Sequence, residues 1–166
     1  MAQAYSFTTD KPHAKVFGRA LKISTKESVE VARFIRGKQV GAAMQILERV
    51  IKLKQPVPYK RYMHNVGHRP KMGPGRYPVN VAKQFLILLN SVSKNALDLG
   101  LNEKVLVITH ANAHKGHGAY HSGRSKPGQH MKVTHVEIVV TEAEADAEPA
   151  KSKRRIRGPK KEADKK

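Results

Sequence analysis

Two long stretches of this chain contain no acidic residue, and they decide where a core can be built. Residues 54–78 hold five prolines, three tyrosines and six Lys/Arg; residues 110–134 hold four glycines, five histidines and four Lys/Arg. Proline removes a backbone donor and glycine loosens the chain, so neither stretch can carry a long helix or a central strand. Structureless segments of about 20 residues are unusual inside a compact domain and tend to be functional or disordered. Each is bounded at both ends by apolar, periodic sequence. The pattern implies a folded body with two anchored projections that order against a partner.

The flanking sequence supplies the body. Ser24 followed by Glu27 has the form of a capping box, Val31, Phe34 and Ile35 follow at helical spacing, and Gly37 stands where a helix would stop. A second helix is predicted from about Gly41 to Leu53, with Ala43, Ile46, Leu47, Val50 and Ile51 forming one apolar stripe. A third starts near Pro78, aligns Val81, Phe85, Leu88, Val92, Ala96 and Leu99, and ends at Gly100. Lys104–Thr109 and Val133–Val140 are rich in β-branched residues. In the second, Val136, Ile138 and Val140 alternate with His135, Glu137 and Val139, as in a half-buried strand. A short strand around Ala20–Ile23 is expected before the first helix.

Together these elements predict an α+β fold, three helices packed on a small antiparallel sheet. The last two strands flank the second acid-free stretch and read as the arms of one long protruding β-hairpin. One domain over residues 1–141 is expected, with a basic insertion at about 54–78 and the extended hairpin at about 104–140. From Glu142 the sequence turns to alternating acid and alanine, then to a Lys/Arg block between Lys151 and Arg157. No apolar periodicity survives there, so residues 142–166 are expected to be a disordered, low-complexity tail.

Charge narrows the partner. There are 32 Lys/Arg against 13 Asp/Glu, a net charge of +19, of which +16 falls on residues 1–141. Such an excess repels itself unless a polyanion neutralises it, and nucleic acid is the usual one, each neutralised phosphate releasing counterions. A membrane surface is the competing polyanion, but the chain has no apolar run near the roughly 20 residues of a spanning helix and nothing resembling a signal peptide. The absence of cysteine excludes disulfides and thiolate zinc sites and fits a reducing, cytoplasmic setting.

In 54–78, Tyr59, Tyr62 and Tyr77 are interleaved with Lys60, Arg61, Arg69, Lys71 and Arg76. That mixture suits unpaired RNA, rings stacking on bases and cations holding phosphates; the plainer reading is that the tyrosines pack the loop onto the body. In 110–134, Lys115, Arg124, Lys126 and Lys132 can reach phosphates, and the glycines would let the backbone approach RNA closely. His110, His114, His117 and His121 are of the type that ligates zinc, but Gly116, Gly118 and Gly123 argue against a helix, and no acid nearby in sequence offers to orient a ligating ring. Base stacking or phosphate bonding suits these histidines better. Gly37-Lys38, Gly73 and Gly75 belong to no nucleotide-binding loop. Seven acids in the body leave little material for a carboxylate active site, so neither enzyme activity nor a cofactor is expected.

Several separated motifs, in order, resemble one family. Phe34-Ile35-Arg36-Gly37-Lys38, Val40-Gly41-Ala42-Ala43 and Ile46-Leu47 resemble the first two helices of the large-subunit ribosomal protein family called L twenty-two in bacteria. Gln55-Pro56-Val57-Pro58-Tyr59, Val66-Gly67-His68 and Gly75-Arg76-Tyr77-Pro78 resemble the insertion of its archaeal members. Asn95-Ala96, Ala113-His114-Lys115 and Val136-Glu137-Ile138 match further on, so the resemblance spans about residues 12–141.

The resemblance implies a structural constituent of the large subunit. It would bind rRNA, with a globular part near the polypeptide exit and a hairpin lining the nascent-peptide tunnel. Its arms would lie near 104–114 and 130–140 and its tip among Gly116–Gln129, where His117, Tyr120, His121, Arg124 and Lys126 approach the nascent chain. The tip departs from the family's denser arginine cluster. RNA contacts are expected at Lys15, Arg19, Lys22, Arg36, Lys38, Lys60, Arg61, His68, Arg69, Lys71, Arg76, His114, Lys115, Arg124, Lys126 and Lys132. The implied partners are large-subunit rRNA, neighbouring ribosomal proteins and the nascent polypeptide, with neither a membrane nor a second copy of the chain. A free RNA- or DNA-binding regulator is the alternative.

Overall fold

The helices form where apolar spacing places them. A computed structural model describes residues 5–120, 123 and 128–143, and within it α1 spans Thr25–Ile35, α2 Val40–Ile51 and α3 Val79–Asp98. Of the tail expected over 142–166, Glu142 instead ends a strand and Ala143 is described, while residues 144–166 lie outside the described residues. Strands β1 (His13–Leu21), β5 (Leu106–Lys115) and β6 (Thr134–Glu142) form an antiparallel sheet in the order β1-β6-β5. Helix α1 packs on β5, α3 on β1, and α2 against α3. Ile35, Leu47, Phe85 and Leu89 from the helices meet Leu106, Ile108 and Ile138 from the sheet, all fully buried. The fold is α+β, as expected.

Both ends of α1 differ from the sequence pattern. Ser24 makes no side-chain cap; its carbonyl instead accepts from the Ser28 N–H at 2.9 Å and the Ser28 hydroxyl at 2.8 Å. Gly37 adopts a left-handed φ of +76°, which suits glycine. Its N–H donates to Ile108 O at 2.8 Å, and Ile108 N–H donates to Lys38 O at 2.9 Å, so the helix exit is hooked onto β5.

The strand expected at Ala20–Ile23 runs instead from His13 to Leu21. Polar His13, Lys15 and Arg19 hide its periodicity. Pairing with β6 creates it, in a register that sets Lys15 opposite Val139 and Gly18 opposite Val136. A bulge follows: Ala20 takes φ +53° and its N–H donates to His135 Nδ1 at 3.0 Å. Gly18 lets α3 lie close, because a Cβ there would stand 3.1 Å from the Leu88 methyls.

Strand β6 is not half-buried. Its helix-facing residues Val136, Ile138 and Val140 and its opposite-face residues Glu137 and Val139 are all buried. The central position in the sheet explains one face, and the N-terminal segment covers the other. Phe7 stacks on His110 at 5.0 Å between ring centroids, Tyr5 meets Phe17 edge-on at 6.1 Å, and Ser6 bonds to Glu137.

The insertion is also more ordered than its composition suggests. It forms a second small sheet, β2 (Val57–Pro58), β3 (His68–Arg69) and β4 (Gly73–Arg76), in the order β2-β4-β3. Buried Glu30 of α1 ties it to the body by accepting the backbone N–H groups of Lys60 at 3.1 Å, Arg61 at 2.7 Å and Tyr62 at 2.8 Å. Val57 and Tyr59 are buried in the core. The segment docks on the body instead of projecting as a structureless loop, because one buried carboxylate accepts three successive backbone N–H groups that no strand or helix pairs.

Candidate nucleic-acid interface

The cations of the body have almost no acidic partners. Among the described residues, Lys11 apart, no Lys or Arg side chain is salt-bridged to a carboxylate; the carboxylate contacts of His110 and His114 with Glu137 are ion pairs only where the ring is protonated. The cause is visible in the packing, since Glu30 and Glu137 are buried and already bonded. Lys15, Arg19, Lys22, Arg36, Lys60, Arg61, His68, Arg69, Lys71, Arg76, His114, Lys115 and Lys132 are exposed, and Lys38 is half-buried. Arg124, Lys126 and His121 lie outside the described residues.

The structure gathers some of these and separates others. At the hairpin neck, Lys22, Lys115 and Lys132 stand with His117 and His130 around two adjoining clefts of about 420 and 670 Å³. Between α1 and the insertion, Arg36, Lys38 and Lys60 line a cavity of about 190 Å³ with Arg33 and Phe34. His68 and Arg69 on β3 and Arg76 on β4 share the small sheet, with Lys71 in the turn between those strands. Lys15 stands apart, its ammonium 5.0 Å from the Tyr5 ring centre. Arg33 and His130 were not singled out in the sequence. A basic residue in a helix's last turn ordinarily answers the helix dipole, which masks any second role.

The ladder of β5 and β6 runs to Lys115 opposite Thr134 and continues irregularly beyond it. Gly116 N–H donates to Val133 O at 2.9 Å, Met131 N–H donates to Ala119 O at 2.8 Å, and Tyr120 bridges to His130. Hence the first six residues of the second acid-free stretch are strand, not excursion. The neck glycines are needed for this closure: a Cβ on Gly118 would stand 2.1 Å from Met131 O, and one on Gly116 2.7 Å from Val133 Cγ1. Tyr120 is exposed at the far end, edge-on to the His130 ring at 5.3 Å.

The tyrosines of the insertion pack it to the body. Tyr59 is buried; burial first and then Glu27 push its hydroxyl up to about 12, with Arg76 opposing and Glu30 adding to the rise. Arg61 and Lys26 lie 5.5 and 5.9 Å from the Tyr62 ring centre, and Arg69 lies 5.1 Å from that of Tyr77. These half-buried rings are covered by cations, which leaves the guanidinium and ammonium groups, more than the ring faces, to meet solvent.

The histidines, contrary to the sequence reading, do have an acid beside them. Glu137 pairs across the ladder with Asn112, so His110 and His114 flank it and reach its Oε1 with Nε2 at 3.0 and 3.1 Å. Burial raises the Glu137 pKa. Hydrogen bonds from the Ser6 hydroxyl, His110, the Ser6 N–H and His114 outweigh that and bring it down to about 2. The separation in sequence, more than twenty residues, concealed this partner. Among the described residues, no group of three or more His, Asp or Glu is arranged to hold a metal ion. No helix there is long and apolar enough to cross a membrane.

Comparison with known proteins decides the family, since the model of ribosomal protein L22p/L17e matches residues 16–141. The chain belongs to that family. Among its relatives, the large ribosomal subunit protein uL22 of Thermoplasma volcanium is 40% identical over 86% of this chain and 99% of its own length. The uL22 of Thermoplasma acidophilum is 42% identical over 84% and 95%, and that of Thermofilum pendens 43% over 79% and 90%. An L22p/L17e protein is a structural constituent of the ribosome and not an enzyme, and its place is the cytoplasmic ribosome. The match to archaeal relatives extends through the 54–78 insertion.

Proposed function

We propose that this ribosomal protein is embedded in the rRNA of the large subunit. The neck clefts and the α1–insertion surface face RNA, and the hairpin of about 104–140 lines the nascent-peptide tunnel. The observation that carries the reading is the exposed set of cations left without acidic partners, among the described residues, on the insertion and the hairpin neck. Such a surface is stabilised by a polyanion, and the phosphates of rRNA are the polyanion a ribosomal protein would meet. The relatives are named as large-subunit proteins, which supports that subunit as the site of assembly. Residues 1–141 act as one rRNA-binding domain in this reading, with neighbouring large-subunit proteins on the remaining surface and no second copy of the chain.

The test is binding of the full chain to large-subunit rRNA across a salt series. Tight binding is expected, with log K falling by roughly 0.7–0.9 per phosphate neutralised. Equal affinity for unrelated RNA of the same length at every salt would overturn it. For the tunnel, a photo-crosslinker in place of Tyr120 should capture a stalled nascent chain, whereas one in place of Leu97 on α3 should not. Capture from neither position would remove the tunnel role while leaving rRNA binding intact.

A further inference from the structure

The cavity between α1 and the insertion is small, concave and lined by four cations, three from the end of α1 and the turn after it and one from the insertion. Arg33 comes from the last turn of α1, Arg36 caps that helix, Lys38 follows Gly37, and Lys60 comes from the loop after β2. Two of them are held in place: Arg36 donates from Nη2 to Ala111 O at 2.5 Å, and Lys38 lies 5.2 Å from the Phe34 ring centre. A guanidinium has five N–H groups, so Arg36 keeps four to offer elsewhere.

Two features of the site carry negative charge, and the four cations outnumber them. Glu30 lines the cavity, but its oxygens accept three backbone N–H groups from residues 60–62. The α1 C-terminus carries partial negative charge; Arg33, Arg36 and Lys38 stand at that end, and Ile35 O accepts from Lys38 N–H at 3.1 Å. The same Glu30 bonds set the position of Lys60, so α1 and the insertion must dock before the four cations converge.

We propose that this cavity is a phosphate clamp that takes one phosphodiester of RNA and locks the insertion against α1. A phosphate offers several acceptor oxygens, and planar arginines with flexible lysines around a pocket of about 190 Å³ complement it. Lys83 and Lys94 on α3 are exposed and stand outside this cavity. The proposal rests on the rRNA-binding reading and names a single point within it.

The test compares two full-length variants that lose the same charge, Arg36→Gln/Lys60→Gln in the clamp and Lys83→Gln/Lys94→Gln on α3. Each is titrated with large-subunit rRNA transcribed from Thermoplasma acidophilum, after circular dichroism confirms folding. The clamp pair should weaken binding about tenfold or more and lower the salt slope by about 1, while the α3 pair changes binding less than about threefold. Arg33→Gln alone, which breaks no internal bond, should show the same direction and guards against misfolding of the double variant. In the wild-type chain, RNA should shift the Arg33 and Arg36 side-chain NMR signals at a chloride concentration where millimolar inorganic phosphate does not. Shifts produced equally by inorganic phosphate would make the site a general anion pocket and overturn the RNA assignment. Equal losses for the two pairs would overturn the clamp but leave rRNA binding standing; no binding by the wild type would instead sink the underlying reading.

Discussion

Glu30 of α1 accepts the backbone N–H of Arg61, 31 residues further along, at 2.7 Å, and with Lys60 and Tyr62 this bond fastens the insertion to the helix. The carboxylate is buried, so removing it strands three donors. Glu30→Ala is expected to destabilise the protein by about 2–4 kcal/mol. Hydrogen exchange should show the loss first at residues 57–62, ahead of the main sheet. Uniform loss across all elements would show that the insertion is not an independently docked unit.

Glu137 links the N-terminal segment to the hairpin base and makes stability depend on pH. Its folded pKa, about 2, lies below the ordinary value of 4.5. A depressed carboxylate stabilises the fold above its unfolded pKa, and that contribution disappears as pH falls through the folded value. Between about pH 4.5 and pH 2 the free protein should therefore lose stability on the order of 3 kcal/mol from this group. Urea midpoints measured across that window check it. Glu137→Gln should flatten the dependence, and an equally steep curve in that variant would place the sensitive carboxylate elsewhere.

Much of this was readable in the residues, and the failures share a cause. The apolar stripes of Ala43–Ile51 and Val81–Ala96 exist before any tertiary contact, so α2 and α3 could be read directly. The start of β1 could not, because Lys15 and Arg19 give it no alternation and only β6 supplies its partner. The same holds for the site. Exposed cations are recognisable by type, but their convergence depends on docking: Lys60 meets Arg36 only because Glu30 binds residues 60–62. Glu137 lies 23 residues from His114 in the chain and 3.1 Å from it in space, a relation set by strand register alone.

Gly118 tests the neck. A methyl group at this position would meet Met131 O at 2.1 Å, and a backbone atom cannot rotate away as a side chain can. Gly118→Ala should separate the arms there and remove exchange protection from Met131, whose N–H is bonded to Ala119 O. Core amides around Val136 and Ile138 should stay protected. Gly123→Ala, where a Cβ would meet nothing within 4 Å, is the matched control and should leave Met131 unchanged.

Among the described residues, none between Gly116 and Val133 belongs to the core cluster. The last core residues on the hairpin arms are Ala113 on β5 and Val136 on β6, and the regular ladder closes at Lys115 opposite Thr134. Everything between can be replaced by a short turn without touching an apolar residue of the cluster. Replacing residues 116–133 with Asn-Gly, a dipeptide suited to a two-residue hairpin turn, should leave the far-ultraviolet dichroism of the body and a cooperative melt. The change in stability should stay within about 1 kcal/mol, since loop closure over fewer residues offsets the few lost neck bonds. The shortened chain should still bind rRNA through the insertion and the α1 surface, but with a lower salt slope, because Lys132 and the neck cations are gone. A body that unfolds when shortened would mean that the neck is part of the folding unit, and the division into a core and an added projection would fail with it.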